Sequence, residues 1–469
     1  MSETKASLPP AETFDRAASA LDRDPAAQIT RLKEIVTQVL ARAQQFGASA
    51  AEATVDVSQG LSVTVRLGEV ETVEHTRDKG IAVTVYFGHR SGSASSTDLS
   101  PAALAETVRA ACTIARYTAE DEAAGLAEPE WLAREIPDLD LYHPWPITVE
   151  EAIERARAAE AAARAEDARI TNSEGATLSS HEGVSVYGNT HGFLAGYPAS
   201  RHSLSVSVIG QDMSGMQRDY WYTVARAPGD LESPEAVGRR AAARAVRRLA
   251  ARKLATCRCP VLFEAPVAAS LIAHFVSAVR GSSLYRRASF LLDALGKPVF
   301  APFVRLHEQP HLPRALGSAP YDNEGVATRA RDLVRGGVLE GYVLDAYSAR
   351  KLGMVSTGNA GGVHNLTLEP GPPGELADLS GLLKKMGTGL LVTELIGFGV
   401  NTVTGDYSRG AAGFWVENGE IAYPVEEITV AGNLRDMFRG MVAAGTDVDV
   451  RGSLRTGSIL IESMTVAGK

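Results

Sequence analysis

The feature that most restricts this chain is a change of hydrophobic period just after residue 47. Ile29, Leu32, Ile35, Val36, Val39 and Leu40 recur at spacings of three and four, which marks an amphipathic helix closed near Gly47. From Ala51 the run AEATVDVSQGLSVTVRLGEVETVEHTRDKGIAVTVYFG alternates with period two. A half-buried strand has that period, because its successive side chains point to opposite faces. Turn signals at Gln59-Gly60, Gly68-Glu69 and Lys79-Gly80 divide the run into an antiparallel meander of about four strands. A helix over about Pro101 to Arg116 follows.

The same grammar then returns. A helix from about Val149 to Asp167 leads into ATLSSHEGVSVYGNT, HGFLAGYPASRHSLSVSVIG and MQRDYWYTVAR, and then into an arginine-rich helix. Helices set apart from runs of antiparallel strands specify α+β rather than a doubly wound α/β sheet. We expect a flexible leader over 1–24, an N-terminal domain over 25–254 with helices packed on antiparallel sheet, and a β-rich domain over 255–469 with few helices. The second half opens with the strand CRCPVLFEAP and the helix VAASLIAHFVSAVRG. Farther on, NLRDMFRGMVAAG reads as a helix, GSILIESMTVAG as a terminal strand, and Glu417-Asn418-Gly419-Glu420 as a hairpin turn.

Composition narrows the function classes. The 469 residues are 45% hydrophobic and carry a formal charge of −9, which excludes general disorder and argues against nucleic acid or an anionic membrane as the main partner. Arg239, Arg240, Arg244, Arg247, Arg248 and Arg252 lack interleaved aromatics, so a solvated helix face is expected there. Cys112, Cys257 and Cys259 are an odd, sparse set that fits a reducing compartment. Cys257-Arg258-Cys259 has no second pair to complete a zinc knuckle and reads as the start of a buried strand. With no apolar signal core over Met1 to Asp22 and no run near about 18 apolar residues, a cytoplasmic protein without membrane spans is expected.

His307-Glu308-Gln309-Pro310-His311 spells H-E-x-x-H. In zinc peptidases that string works on a helix, which aims both imidazoles at one metal while the glutamate polarises the bound water. Pro310 denies the helix: it lacks an N–H and would clash with the Leu306 carbonyl. An extended polar loop is expected instead. In STGNAGGVHN, Asn359, Gly361, Gly362 and His364 form a glycine-rich turn suited to a peptide or subunit contact. In TGDYSRGAAGFWVENG, Asp406 and Arg409 between two β-runs can pair with each other or hold a peptide main chain. Arg286 and Arg287 can meet a substrate carboxylate, but a solvated surface role is expected of them. No G-x-S-x-G elbow occurs.

SSLYRRASFLLDALGKPV, YSARKLGMVSTGNAGGVHN, MGTGLLVTELIGFGVNTVTGDYSRGAAGFWVENGEIAYPVEEITVAGNL and GSILIESMTVAG resemble the TldD/PmbA family, and its PmbA (TldE) branch in particular. The resemblance implies a metallopeptidase component in which a TldD subunit and a PmbA subunit pair as a heterodimer that cleaves small or unfolded polypeptides. It also implies that the TldD zinc lies on a helix carrying H-E-x-x-x-H, completed by a cysteine near the C-terminus. Carried onto this chain, that helix is SLIAHFVSAVRG. His274 stands at the first histidine, Phe275 at the glutamate and Val279 at the second histidine; Thr456 is nearest the cysteine. One imidazole cannot build a three-ligand zinc site, and phenylalanine is no base. We therefore expect no metal or other cofactor on this chain, zinc in a TldD-type partner, and His274 as a satisfied interior or interface histidine. The alternatives are a non-catalytic homodimeric peptide-binding protein, or a stand-alone peptidase built on His307, Glu308 and His311.

Overall fold

The computed structural model describes residues 24–468; apart from Asp24, the expected leader lies outside the described residues. Helix α1 (Pro25–Gln45) begins where the Asp24 carboxylate accepts the Ala26 N–H and Pro25 takes the first helical position. It is followed by β1 (Ala50–Arg66), β2 (Glu69–Phe87) and β3 (Arg90–Ser96). The meander thus has three strands where the turn signals suggested four. Of the three turn signals only the one at Gly68 marks a turn, Leu67-Gly68, with φ of 53° and 84°. Both of its N–H groups donate to the buried Glu160 carboxylate at 2.8 Å. Gly60 instead sits inside the ladder opposite Thr76 and His181. A Cβ there would overlap the His181 ring, so the glycine makes room for a cross-strand neighbour.

Helices α2 (Pro101–Tyr117), α3 (Val149–Glu166) and α4 (Pro234–Val246) and strands β4 (Ile170–Asn189), β5 (Leu194–Asp212) and β6 (Gly215–Ala225) complete this half. The sheet runs β3-β2-β1-β4-β5-β6 and is antiparallel throughout. Ala51, Ala53 and Val55 of β1 pack with α1 and α2, and Leu61, Val63 and Val65 with α3 and α4. These positions are all odd-numbered, so both helix pairs cover one face. The other face carries hydroxyl pairs, Ser62 with Ser179 at 3.0 Å and Thr64 with Thr177 at 2.9 Å.

The β-rich half contains β7 (Cys257–Phe263), α5 (Ala265–Ala278), α6 (Gly281–Tyr285), β8 (Leu306–Glu308), β9 (Arg331–Arg335), β10 (Val338–Leu339), α7 (Ala346–Leu352) and β11 (Leu366–Leu368). After these come α8 (Leu379–Met386), β12 (Gly389–Ile396), β13 (Asp406–Glu417), β14 (Glu420–Asn433), α9 (Leu434–Arg439), β15 (Met441–Ala444), β16 (Leu454–Arg455) and β17 (Ile459–Ala467). One sheet is ordered β14-β13-β12-β7-β17-β15, and β14 also pairs with β17, so the sheet curls back on itself. A second runs β10-β9-β8-β11-β16. The core shared with α5 centres on Phe275, Phe300 and Phe438. NLRDMFRGMVAAG is not one helix: α9 stops at Gly440, and Met441 to Ala444 pair with β17. The fold class is α+β, as its alternating periods indicate. No helix among the described residues is long and apolar enough to cross a membrane.

The arginine-rich segment is a solvated face only in part: Arg239, Arg240 and Arg252 are exposed, but the others turn inward. Arg244 and Arg248 have side chains only 12% exposed. Arg244 meets Asp219 of β6 at 3.2 Å and Glu264 at 2.9 Å; Arg248 reaches Glu394 of β12. Arg244 lies in the last turn of α4 and Arg247 and Arg248 directly follow it, and acids from both halves converge on the three.

Candidate functional site

Helix α5 places Phe275 and Val279 in the core, both fully buried. His274 lies on a different side of the helix, partly buried, with its ring edge-on to Tyr407 at 6.0 Å between centroids. Its Nε2 is sealed from solvent and has no hydrogen-bond partner among the described residues, so His274 is not the satisfied histidine expected. Burial, and then the positive charge of Arg409, lower its pKa. The flanking Ser270 and Ser277 are spent on their own helix, donating to the Val267 and Ala273 carbonyls.

Strand β13 supplies the other side. Asp406 and Arg409 lie within the strand rather than between strands, three residues apart, so they point to opposite faces and do not pair. Asp406 accepts from the Thr404 hydroxyl at 2.6 Å and from Asn433 at 3.2 Å, and those bonds lower its pKa. Tyr407 and Arg409 share the face toward α5. Tyr407 is 1% exposed with an unpartnered hydroxyl, and burial pushes its pKa up to about 12. The Arg409 Nε is likewise buried without an acceptor.

This donor set does not fit zinc. One imidazole stands beside a guanidinium, and the neighbouring helix positions are Phe275 and Val279. Thr456 is fully buried, its hydroxyl donating to the Gly457 carbonyl at 2.9 Å. Among the described residues, no three His, Cys, Asp or Glu side chains gather as a metal-ligand group.

HEQPH is extended, as Pro310 requires, but it is not a polar loop. Its first two residues end β8, and Glu308 is 1% exposed. Glu308 receives the Arg331 Nε–H, the Asn359 amide and the His364 backbone N–H, each at 2.8 Å. His307 points the opposite way and pairs through Nδ1 with Asp332 at 2.6 Å. Burial raises the Asp332 pKa, but His307, Arg335 and Arg305 together bring it below its usual value. His311 pairs with Thr328 at 2.9 Å. The two imidazoles are thus held by separate partners.

The STGNAGGVHN turn packs on this same strand. Asn359 is buried and also accepts from Arg331. Gly361, at φ 106°, faces the Asn323 side chain, which a Cβ would meet at 2.7 Å. His364 donates to the Gly358 carbonyl at 3.1 Å. The Arg286 guanidinium lies over the Tyr285 ring.

Sequence reasoning missed a group of acids at the junction of the two halves. Burial pushes Asp322 up to about 6 and Glu324 up to about 8. Glu52 on β1 is raised as well, despite accepting from Tyr86 and Tyr187 at 2.8 Å. Their spacing of some 270 positions leaves no local pattern to read. The signal that existed was YDNEG, whose Asp322 side chain accepts the Glu324 and Val326 N–H groups as turn-forming aspartates do.

The fold joins a helix-covered antiparallel sheet to a curled, β-rich half whose central helix carries a histidine. Models of the PmbA/TldA metallopeptidase domain 1, central domain and C-terminal domain match residues 51–115, 142–249 and 256–468. The chain belongs to the TldD/PmbA metallopeptidase family. Within it, the chain falls in the PmbA branch. It is 50% identical over 445 residues to the metalloprotease PmbA of Escherichia coli O157:H7, covering 94% of this chain and 98% of that one. A PmbA homolog of Haemophilus influenzae is 49% identical, with 94% and 97% covered. The TldD homolog of the same organism is 23% identical, with 84% and 85% covered. Among solved structures, a candidate modulator of DNA gyrase from Bacteroides thetaiotaomicron superposes with a TM-score of 0.88 at 29% identity, covering 94% and 99% of the two chains. TldE of Thermococcus kodakarensis shares the fold at a TM-score of 0.81 and 21% identity, covering 92% and 100%.

Proposed function

We propose that this chain is the PmbA-type subunit of a two-subunit metallopeptidase acting on small or unfolded polypeptides, and that a TldD-type partner brings the zinc. The observation that carries this reading is the surroundings of His274: a core phenylalanine and valine on the helix, and a guanidinium opposite, where a metal site needs further ligands. The chain's own contribution is to hold an extended polypeptide. In support, among the described residues, 69–80 of β2 pair with β1 alone, because β3 covers only Ile81 to Phe87. That leaves a sheet edge whose main-chain groups can take up a further strand. The free thiols of Cys112, Cys257 and Cys259 favour a reducing, cytoplasmic setting.

The test is to mix the purified chain with a TldD-type subunit and follow both size and cleavage of an unfolded polypeptide. We expect a heterodimer on a sizing column, activity only in the mixture, and far less than one zinc per copy of this chain alone. Stoichiometric zinc on the isolated chain, or no heterodimer and no activity in the mixture, would overturn the reading.

A further inference from the structure

Arg409 is a partly buried arginine with no carboxylate partner among the described residues, and its Nε–H is sealed from water without an acceptor. Two more polar atoms are left unpartnered beside it, the Tyr407 hydroxyl and the His274 Nε2. Such orphaned groups are rare in folded proteins because each forfeits its hydration without a replacement bond. Three of them here belong to neighbouring side chains. Tyr407 and Arg409 share a face of β13, the His274 ring packs on Tyr407, and the Arg409 charge acts on both. Ser270 and Ser277, the helix positions flanking His274, are short and already bonded to their own backbone. Arg455, on β16 against α5, is a second half-buried arginine with an unpartnered Nε and no acid beside it among the described residues.

From this juxtaposition we infer that Arg409, Tyr407 and His274 form an anion-binding site that grips a peptide carboxylate. The two Arg409 Nη groups, which unlike Nε are not sealed, match the two oxygens of a carboxylate, and the ligand must part Arg409 from Tyr407 to reach the buried donors. The Tyr407 hydroxyl adds a third donor. His274 donates through Nε2–H in the tautomer that places the proton there. The carboxylate is that of a chain terminus or of an Asp or Glu side chain. The ligand class rests on the polypeptide-binding reading above; the site itself does not.

The test is calorimetric titration of the purified full chain with four probes. These are tri-alanine with a free carboxylate, tri-alanine amide, Ala-Asp-Ala amide and inorganic phosphate. We expect the free acid to bind at least about tenfold more tightly than tri-alanine amide. Binding of Ala-Asp-Ala amide at the strength of the free acid would show that the site takes side-chain and terminal carboxylates alike, and its failure to bind would assign the site to chain termini. Arg409→Gln should weaken binding at least about tenfold, and Arg409→Lys should restore part of it. Tyr407→Phe keeps the core volume and should cost about threefold, so the inference stays testable if Arg409→Gln does not fold. Equal binding of acid and amide, tighter binding of phosphate than of tri-alanine, no binding by any probe, or full affinity in a folded Arg409→Gln or Tyr407→Phe variant would each overturn it. Heterodimer formation is untouched by these outcomes, so failure here is distinguishable from failure of the subunit reading.

Discussion

Arg244 on α4 and Glu264 at the threshold of α5 meet at 2.9 Å, with side chains only 12% and 10% exposed. Glu264 is the residue preceding the first turn of α5, and it also receives Arg247 at 3.2 Å. The helix that carries His274 is thereby tied at its start to a helix of the first sheet. A local reading of α4 saw only charge; the partners that turn that charge inward lie on β6, β12 and α5.

Glu264→Ala leaves two arginines facing a buried site with one acid fewer. Breaking a buried pair costs roughly 3 kcal/mol, so the variant should lose about that much unfolding free energy in urea. Arg247→Ala, whose side chain is 32% exposed, should cost less than about 1 kcal/mol. A Glu264→Ala variant within about 0.5 kcal/mol of the parent would sink the idea that this pair anchors α5.

Glu324 sets a pH dependence. Its folded pKa, about 8, lies above the ordinary 4.5, chiefly through burial, with Asp322, Asp345 and Glu52 adding to the rise. The folded state therefore holds a proton that the unfolded state releases between those values. Its stabilising contribution is complete below about pH 4.5, falls as pH rises and is lost above about pH 8, by at most about 1.4 kcal/mol per pH unit. Glu324→Gln keeps the acceptor for the Ala346 N–H but cannot ionise. It should flatten the stability–pH curve over that window and be the more stable form at pH 8.5. An unchanged slope would show that Glu324 is not the titrating group.

The α+β class and the positions of most long elements were legible because a period of two or of 3.6 persists over many residues in β1, β4, β5 and α1. The strand count was not, because Gly60 and Gly80 look like turn residues until a cross-strand neighbour is known. Proline chemistry correctly kept HEQPH out of a helix, yet the burial of Glu308 depends on Arg331 and Asn359, which lie 23 and 51 positions away. Tyr407 was overlooked between the charged Asp406 and Arg409. Its importance comes from a hydroxyl left without a partner, and only packing reveals that.

The Gly60–His181 contact gives a clean cycle. Gly60→Ala places a methyl against the His181 ring in the middle of a continuous ladder. Overpacking of this kind costs typically about 1–3 kcal/mol. His181→Ala removes the obstacle, so the double variant should recover most of the loss, with a coupling energy above about 0.5 kcal/mol. Additive effects would place the cost of Gly60→Ala in the backbone instead of the ring.

HEQPH supplies the last prediction, because its glutamate has a structural duty that a zinc reading would misassign. Glu308→Ala would strand the half-buried Arg331, the Asn359 amide and the His364 N–H together. A loss of roughly 3–5 kcal/mol is expected. Glu308→Gln retains an acceptor but forfeits the charge opposite Arg331, and should fall between the parent and the alanine variant. His307→Ala breaks a pair whose imidazole is 20% exposed and should cost less than Glu308→Ala. All three can be ranked by urea denaturation of the purified chain. A metal site at HEQPH would give a different order: with zinc added, His307→Ala and His311→Ala would lose stability together and the parent would gain it. Stability that ignores zinc, with Glu308→Ala the weakest variant, is the outcome the hydrogen-bond network requires.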